Sequence, residues 1–291
     1  MAAVFDIADS RAPAAGAGEH IVDVLIRERA PRLSASVLWP VVRPPLHALL
    51  GYRKARALAE TVSGMGGREA MDHASALLGL QVAVRGLERI PVGGRLIVVV
   101  NHPTGLADGV AVDDVLRPVR PDRMFFANAD AFRVNPAFGE VFVPVEWVGA
   151  KRSRERNRET LRLAQRAMGE ERALVIFPAG RISRGRPGGR LADPPWAASA
   201  LSLARRHKAP VLPVHLSGPP STLFRLLDKV WGELRDITLF HELLNKAGGR
   251  FALTIGPAIA PEMIGDPAET TPRLKAYVEE VLPVFPDQPF A

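Results

Sequence analysis

Leu96-Ile-Val-Val-Val-Asn-His-Pro-Thr-Gly-Leu-Ala-Asp-Gly109 is the stretch around which the chain is organised. Five apolar residues, Leu96 to Val100, run without alternation, the pattern of a strand covered on both faces. Asn101 and His102 follow, Pro103 and Gly105 shape a tight loop, and Asp108 and Gly109 precede a second apolar run. Ligand sites in open α/β sheets lie at the carboxyl ends of strands, which places the His–Asp pair at such a site. A carboxylate on one imidazole nitrogen fixes the tautomer and leaves the other nitrogen free to take a proton from a hydroxyl. The competing reading makes Asp108 the cap of a helix beginning near Gly109 and His102 a loop residue. Residue types alone leave the two nearly even.

Around this strand the chain alternates strand and helix patterns. Strands are predicted at 82–84, 124–127, 141–145, 173–177, 211–216 and 251–255, and helices at 68–80, ending at Gly79, 154–168 and 197–206. This predicts an α/β fold: a mostly parallel central sheet flanked by helices, preceded by a small N-terminal helical region. The expected divisions are a loose tail (1–18), a helical region (19–80), the α/β domain (81–262) and a C-terminal helix with an irregular, proline-bearing tail (263–291). The 33–50 segment is strongly apolar but carries Arg43, Pro40, Pro44 and Pro45, so no run reaches the roughly 18 residues of a spanning helix. With Trp39 and neighbouring basic residues it suits the headgroup region of a membrane, or a helix packed on the main domain. Cysteine is absent, which excludes disulfides, thiolate metal sites and a cysteine nucleophile.

Several blocks resemble the PlsC-like glycerolipid acyltransferase family. NHPTGLAD resembles its His and Asp block, with five residues between the two where four are usual. That spacing is similar to the branch of hemolysins and lyso-ornithine lipid acyltransferases. PVGGRLIVVVNHP, VIFPAGRIS, LADPPW, VLPVHLSG, and HELLNKAG with LTIGPAI follow in family order, over about Tyr52 to Ile259. The resemblance implies transfer of a fatty acyl group from an acyl thioester, carried by coenzyme A or acyl carrier protein, to the hydroxyl of a lyso-lipid. His102 is then the base and Asp108 its orienting acid, with no metal or redox cofactor. Asn101, Phe177, Pro178, Gly180, Arg181, Ser183 and Arg184 are the implied substrate-binding residues. In VIFPAGRIS, Ala179 stands in place of the family's Glu and Ile182 in place of its Arg, with Arg181 one position early. Lysophosphatidate as acceptor, and a non-catalytic hemolysin-like lipid binder, are the alternatives.

Charge is uneven. Residues 151–190 hold twelve Lys or Arg against four Glu, an excess larger than the formal +7 of the whole chain. Such a band suits anionic lipids, coenzyme A phosphates or an acidic carrier protein. Part of it reads as a helix face with ordinary ion pairs, Glu155 and Glu159 alternating with Arg158 and Arg162. Nucleic acid is disfavoured because no aromatic residues interleave with the arginines. The expected setting is cytoplasmic and peripheral, on the inner face of the cell membrane. No G-x-S-x-G, phosphate-loop or H-E-x-x-H pattern occurs, and His241–Glu242 lacks the second histidine of a zinc site. His47, His73, His207 and His215 read as structural or surface residues.

Overall fold

Leu96–Val100 is fully buried, and its alternate residues feed two separate cores. A computed structural model describes residues 18–146, 153–185 and 191–291. Its strands are β1 (Gln81–Arg85), β2 (Leu96–Val100), β3 (Met124–Asn128), β4 (Phe142–Val145), β5 (Ala173–Ile176), a short antiparallel pair β6 (Arg184–Gly185) and β7 (Leu191–Ala192), β8 (Val211–Ser217) and β9 (Arg250–Ile255). The main sheet has the order β1-β9-β8-β2-β5-β3-β4. Every neighbouring pair in it is parallel except β8 and β9, so β1 and β9 run against the other five. Val98 pairs with Val175 on one side and Leu212 on the other, and helices cover both faces of the sheet, which leaves β2 no polar face.

The helices, in chain order, are α1 (Ile21–Arg29), α2 (Pro31–Ser34), α3 (Trp39–Leu49), α4 (Tyr52–Ser63), α5 (Gly67–Leu78), α6 (Leu106–Leu116), α7 (Asp130–Val134), α8 (Arg154–Gly169), α9 (Ser199–His207), α10 (Thr222–Val230), α11 (Gly232–Asp236), α12 (Leu239–Leu244) and α13 (Pro267–Ala276). Ile97, Val99, Leu174 and Ile176 pack against α8, α9 and α13. Leu96, Val98, Val100, Ala173 and Val175 pack against α5, α6 and α12. A third, small core of Ala30, Leu33, Leu50 and Ile237 joins the N-terminal helices to α10 and α11 through Leu223 and Leu234.

Three features bear on the sequence reading. The proline-bearing stretch forms α3 with Pro44 and Pro45 inside it and with none of its residues buried. Among the described residues no helix is long and apolar enough to cross a membrane. Between β8 and β9 stand α10 to α12, of which no helix was expected. The last residues lack helix, yet Phe290 returns to pack edge-on against Tyr277 at 5.5 Å. Of the expected tail, residues 1–17 lie outside the described residues, as do Trp147, Lys151, Arg152, Arg186 and Arg190 of the stretches singled out above.

Candidate functional site

The loop leaving β2 is held from both sides. The Asn101 side chain donates to the Leu216 carbonyl at 2.8 Å and accepts the Leu216 N–H, fastening the end of β2 to β8. The His102 N–H donates to both Asp193 oxygens at 3.1 and 3.2 Å, while its carbonyl accepts the Ser183 N–H at 2.8 Å. Gly105 has φ +103°, a conformation that favours glycine, and a Cβ there would also displace the Ile182 methyl at 2.9 Å.

Gly105 is also the N-cap of α6, which makes Asp108 its third residue rather than its start. The Asp108 carboxylate is fully buried. Its Oδ2 accepts the Thr104 and Gly105 N–H groups at 2.9 and 3.0 Å and lies 2.8 Å from His102 Nδ1; its Oδ1 accepts the Thr104 hydroxyl. One carboxylate therefore both caps the helix and holds the histidine ring. The His102 ring, 18% exposed, lies against Phe177 with centroids 4.6 Å apart. With Nδ1 committed to Asp108, Nε2 is the nitrogen left to exchange a proton.

Asp193 is the residue that sequence reading missed. It sits in LADPPW, a block noted without a role. It is nearly fully buried and also accepts the Ser183 hydroxyl and the Trp196 indole N–H at 2.8 Å. Burial pushes its carboxyl up from the usual range, opposed by the hydrogen bonds from Ser183, Trp196 and the His102 amide. Its own N–H donates to Glu279, just beyond α13. One residue thus joins the β2 loop and the β5 loop through its carboxylate and the C-terminal segment through its N–H.

The expected binding residues divide. Asn101 and Ser183 spend their side chains on the scaffold, Asn101 on β8 and Ser183 on Asp193, and each is buried. Pro178 is buried, its carbonyl accepting the Ala197 N–H. Gly180 takes φ +60° at the turn, and Phe177 reaches His102. Arg181 is exposed at the head of this turn. Arg184, also exposed, lies 3.6 Å from Asp228 of α10 and lines a groove of about 270 Å³ with Ala192, Asp193, Pro194 and Pro195. Glu242 is buried on Lys246, in keeping with a structural role. On α8, Arg162 pairs with Glu159 and Arg166 with Glu170, whereas Arg154 and Arg158 project outward.

The central strand of the sheet thus delivers to its carboxyl end a histidine held by a buried carboxylate. Comparison with known proteins gives the reaction class. Residues 81–217, the segment holding this site, match the family model described as Acyltransferase. Two curated lyso-glycine lipid O-acyltransferases, from Phocaeicola vulgatus and Bacteroides thetaiotaomicron, are each 26% identical over 211 residues. The alignments cover 70% of this chain and 73% and 75% of theirs. Among solved structures, the 1-acyl-sn-glycerophosphate acyltransferase PlsC from Thermotoga maritima is 17% identical, with a TM-score of 0.47 over 87% of this chain and 95% of that one. The chain is an acyltransferase, and residues 81–217 are its match to that family model.

Proposed function

We propose that the protein transfers a fatty acyl group from a thioester to the hydroxyl of a lyso-lipid with an amino-acid headgroup, with His102 as general base and Asp108 as its orienting acid. The 2.8 Å contact between His102 Nδ1 and the buried Asp108 carboxylate carries the reading. His102 Nε2 takes the acceptor's hydroxyl proton as the oxygen bonds to the thioester carbonyl carbon. The C–S bond then breaks, and the leaving thiolate takes the proton back from the imidazolium. Asp108 stabilises the cation formed in between. Nothing in this sequence of steps requires a metal or redox cofactor.

An amino-acid headgroup follows from the turn at Gly180. A phosphomonoester favours a fork of fixed arginines, whereas this turn presents Arg181 with Ala179 and a buried Ile182 beside it. One arginine suffices for a single carboxylate, and both curated relatives carry the name of a glycine lipid. The basic face of α8 suits either thioester carrier, coenzyme A or acyl carrier protein. The apolar, Trp-bearing α3, with α8, provides peripheral contact with an anionic membrane surface. Thiol release from an acyl thioester, with and without lyso-lipid, tests the reading: acceptor-dependent release that His102→Ala abolishes is expected. Release independent of lyso-lipid, or intact in His102→Ala, overturns it.

A further inference from the structure

Helix α10 leaves an apolar edge uncovered at the same end of the sheet as His102. On a helical projection Leu223, Leu226, Leu227 and Val230 share one arc, and Arg225, Asp228 and Lys229 lie opposite. Leu223 is spent on the third core, but Leu226 is 59% exposed and Val230 74%, and the adjoining Trp231 is exposed as well. No residue of the helix is buried. An amphipathic helix packed on a protein normally turns its apolar arc inward, so half of this arc lacks a protein partner among the described residues.

Two observations say what covers it. First, α3 flanks the same third core through Trp39 and Leu46, and its own outward residues Val41, Val42 and Leu49 are exposed, with Val37 and Leu38 just before it. Two apolar edges far apart in sequence thus border one small core. Second, the charges beside α10 are cationic in balance. Arg225 and Lys229 lie on the helix and Arg184 reaches it from the neighbouring loop; of the acids, Asp228 is already engaged by Arg235 and Arg184, and Glu233 by the N–H groups of Arg32 and Leu33.

We infer that α10 and α3 form one platform that lies in the headgroup layer of an anionic bilayer, with Leu226, Val230 and Trp231 entering the acyl boundary. The inference rests on the proposed lyso-lipid acceptor and adds where that lipid leaves the bilayer. Apolar residues with a tryptophan at the interface and basic residues on the polar flank are the chemistry of an interfacial helix. The platform is tied to the site at two points. Ser221, immediately before α10, donates its hydroxyl to the Thr104 carbonyl at 3.0 Å, and Thr104 in turn holds Asp108. Asp228 of α10 receives Arg184 from the other loop of the site. A lyso-lipid rising beside α10 therefore emerges between the two loops that frame His102.

The absence of cysteine permits a direct test. Leu226→Cys carries an environment-sensitive fluorophore, with Glu88→Cys, at the opposite end of β2, as the control. Vesicles of equal phosphatidylglycerol and phosphatidylcholine should shift the label at 226 to the blue and leave that at 88 unchanged, less so in 0.5 M salt, where screening is stronger. In parallel, Leu226→Glu/Val230→Glu should lower partition to the same vesicles at least tenfold. It should lower to a similar degree the ratio of thiol release with vesicle-borne acceptor to that with a monomeric short-chain lyso-lipid. Equal shifts at both positions, or unchanged partition of the double variant, overturn the inference. So does a vesicle-free dimer of the native chain that the double variant dissolves, which would make a second copy the occupant. Because label shift and partition need no turnover, they report even if neither acceptor supports thiol release, an outcome that would sink the proposed reaction alone.

Discussion

Replacing Asp108 by asparagine separates its two tasks. Three N–H donors, from His102 Nδ1, Thr104 and Gly105, converge on Oδ2, and only the Thr104 hydroxyl meets Oδ1. In Asp108→Asn those donors hold the amide oxygen at the Oδ2 position. The new NH2 then faces Thr104 Oγ1, a hydroxyl that accepts as readily as it donates. The cap and the histidine tautomer survive, and the charge is lost. Charge-assisted bonds exceed neutral ones by about 1 kcal/mol each, partly offset by no longer burying an anion, so stability should fall by about 1–2 kcal/mol. The rate loses the attraction between carboxylate and imidazolium: at about 4 Å and an effective dielectric constant near 20 that is about 4 kcal/mol. At 1.36 kcal/mol per decade, kcat should fall about 10³-fold. The acceptor KM should hold, since the carboxylate is wholly buried and touches no substrate. Steady-state thiol release with a lyso-lipid series, beside thermal melts, reads both effects. A kcat within tenfold of the native value would refute the electrostatic role, as would a raised KM with kcat intact. Asp108→Ala, which orphans all four donors, should instead fail mainly by unfolding.

His102→Ala should abolish acceptor-dependent turnover; since the ring packs on Phe177 and bonds Asp108, it should also cost about 1–2 kcal/mol in a denaturant melt. Residual turnover near native would remove the base from His102. Arg181→Ala should raise KM for amino-acid lyso-lipids with little change in kcat. A native preference for lysophosphatidate that vanishes in this variant would show that Arg181 is a phosphate clamp instead. Stability should fall on acidification from pH 7.5 to 5.5. Burial lowers the pKa of His47, His207 and His215, so the unfolded chain binds more protons just below the ordinary value of about 6.5. The stabilisation present above that value is lost as pH drops through it. His215→Asn, whose amide can still donate to the Val278 carbonyl that His215 Nδ1 now meets at 3.0 Å, should flatten the dependence; an unchanged profile would assign it elsewhere.

What the sequence determined by itself was local and periodic. An unbroken apolar run from Leu96 to Val100 announces a strand covered on both faces, because no polar side chain could be buried there without partners. Alternation of such runs with helical spacing announces the layered sheet, and Gly79 marks the end of α5. His102 and Asp108 stand six residues apart across one tight loop, so their pairing was legible too. Tertiary structure decided what depended on distant segments. Asp193 reaches His102 across ninety residues, and no local pattern distinguishes a carboxylate that will be buried on a remote amide from one that caps a turn. Asn101 and Ser183 look like loop polar residues ready for a ligand. Their actual partners, Leu216 and Asp193, arrive only when β8 and β7 close on the site. The reversal of β9 against β8 follows from the chain's return through α10 to α12. Those helices are short, so their hydrophobic repeat spans too few turns to declare itself until the third core gives it a face to pack against.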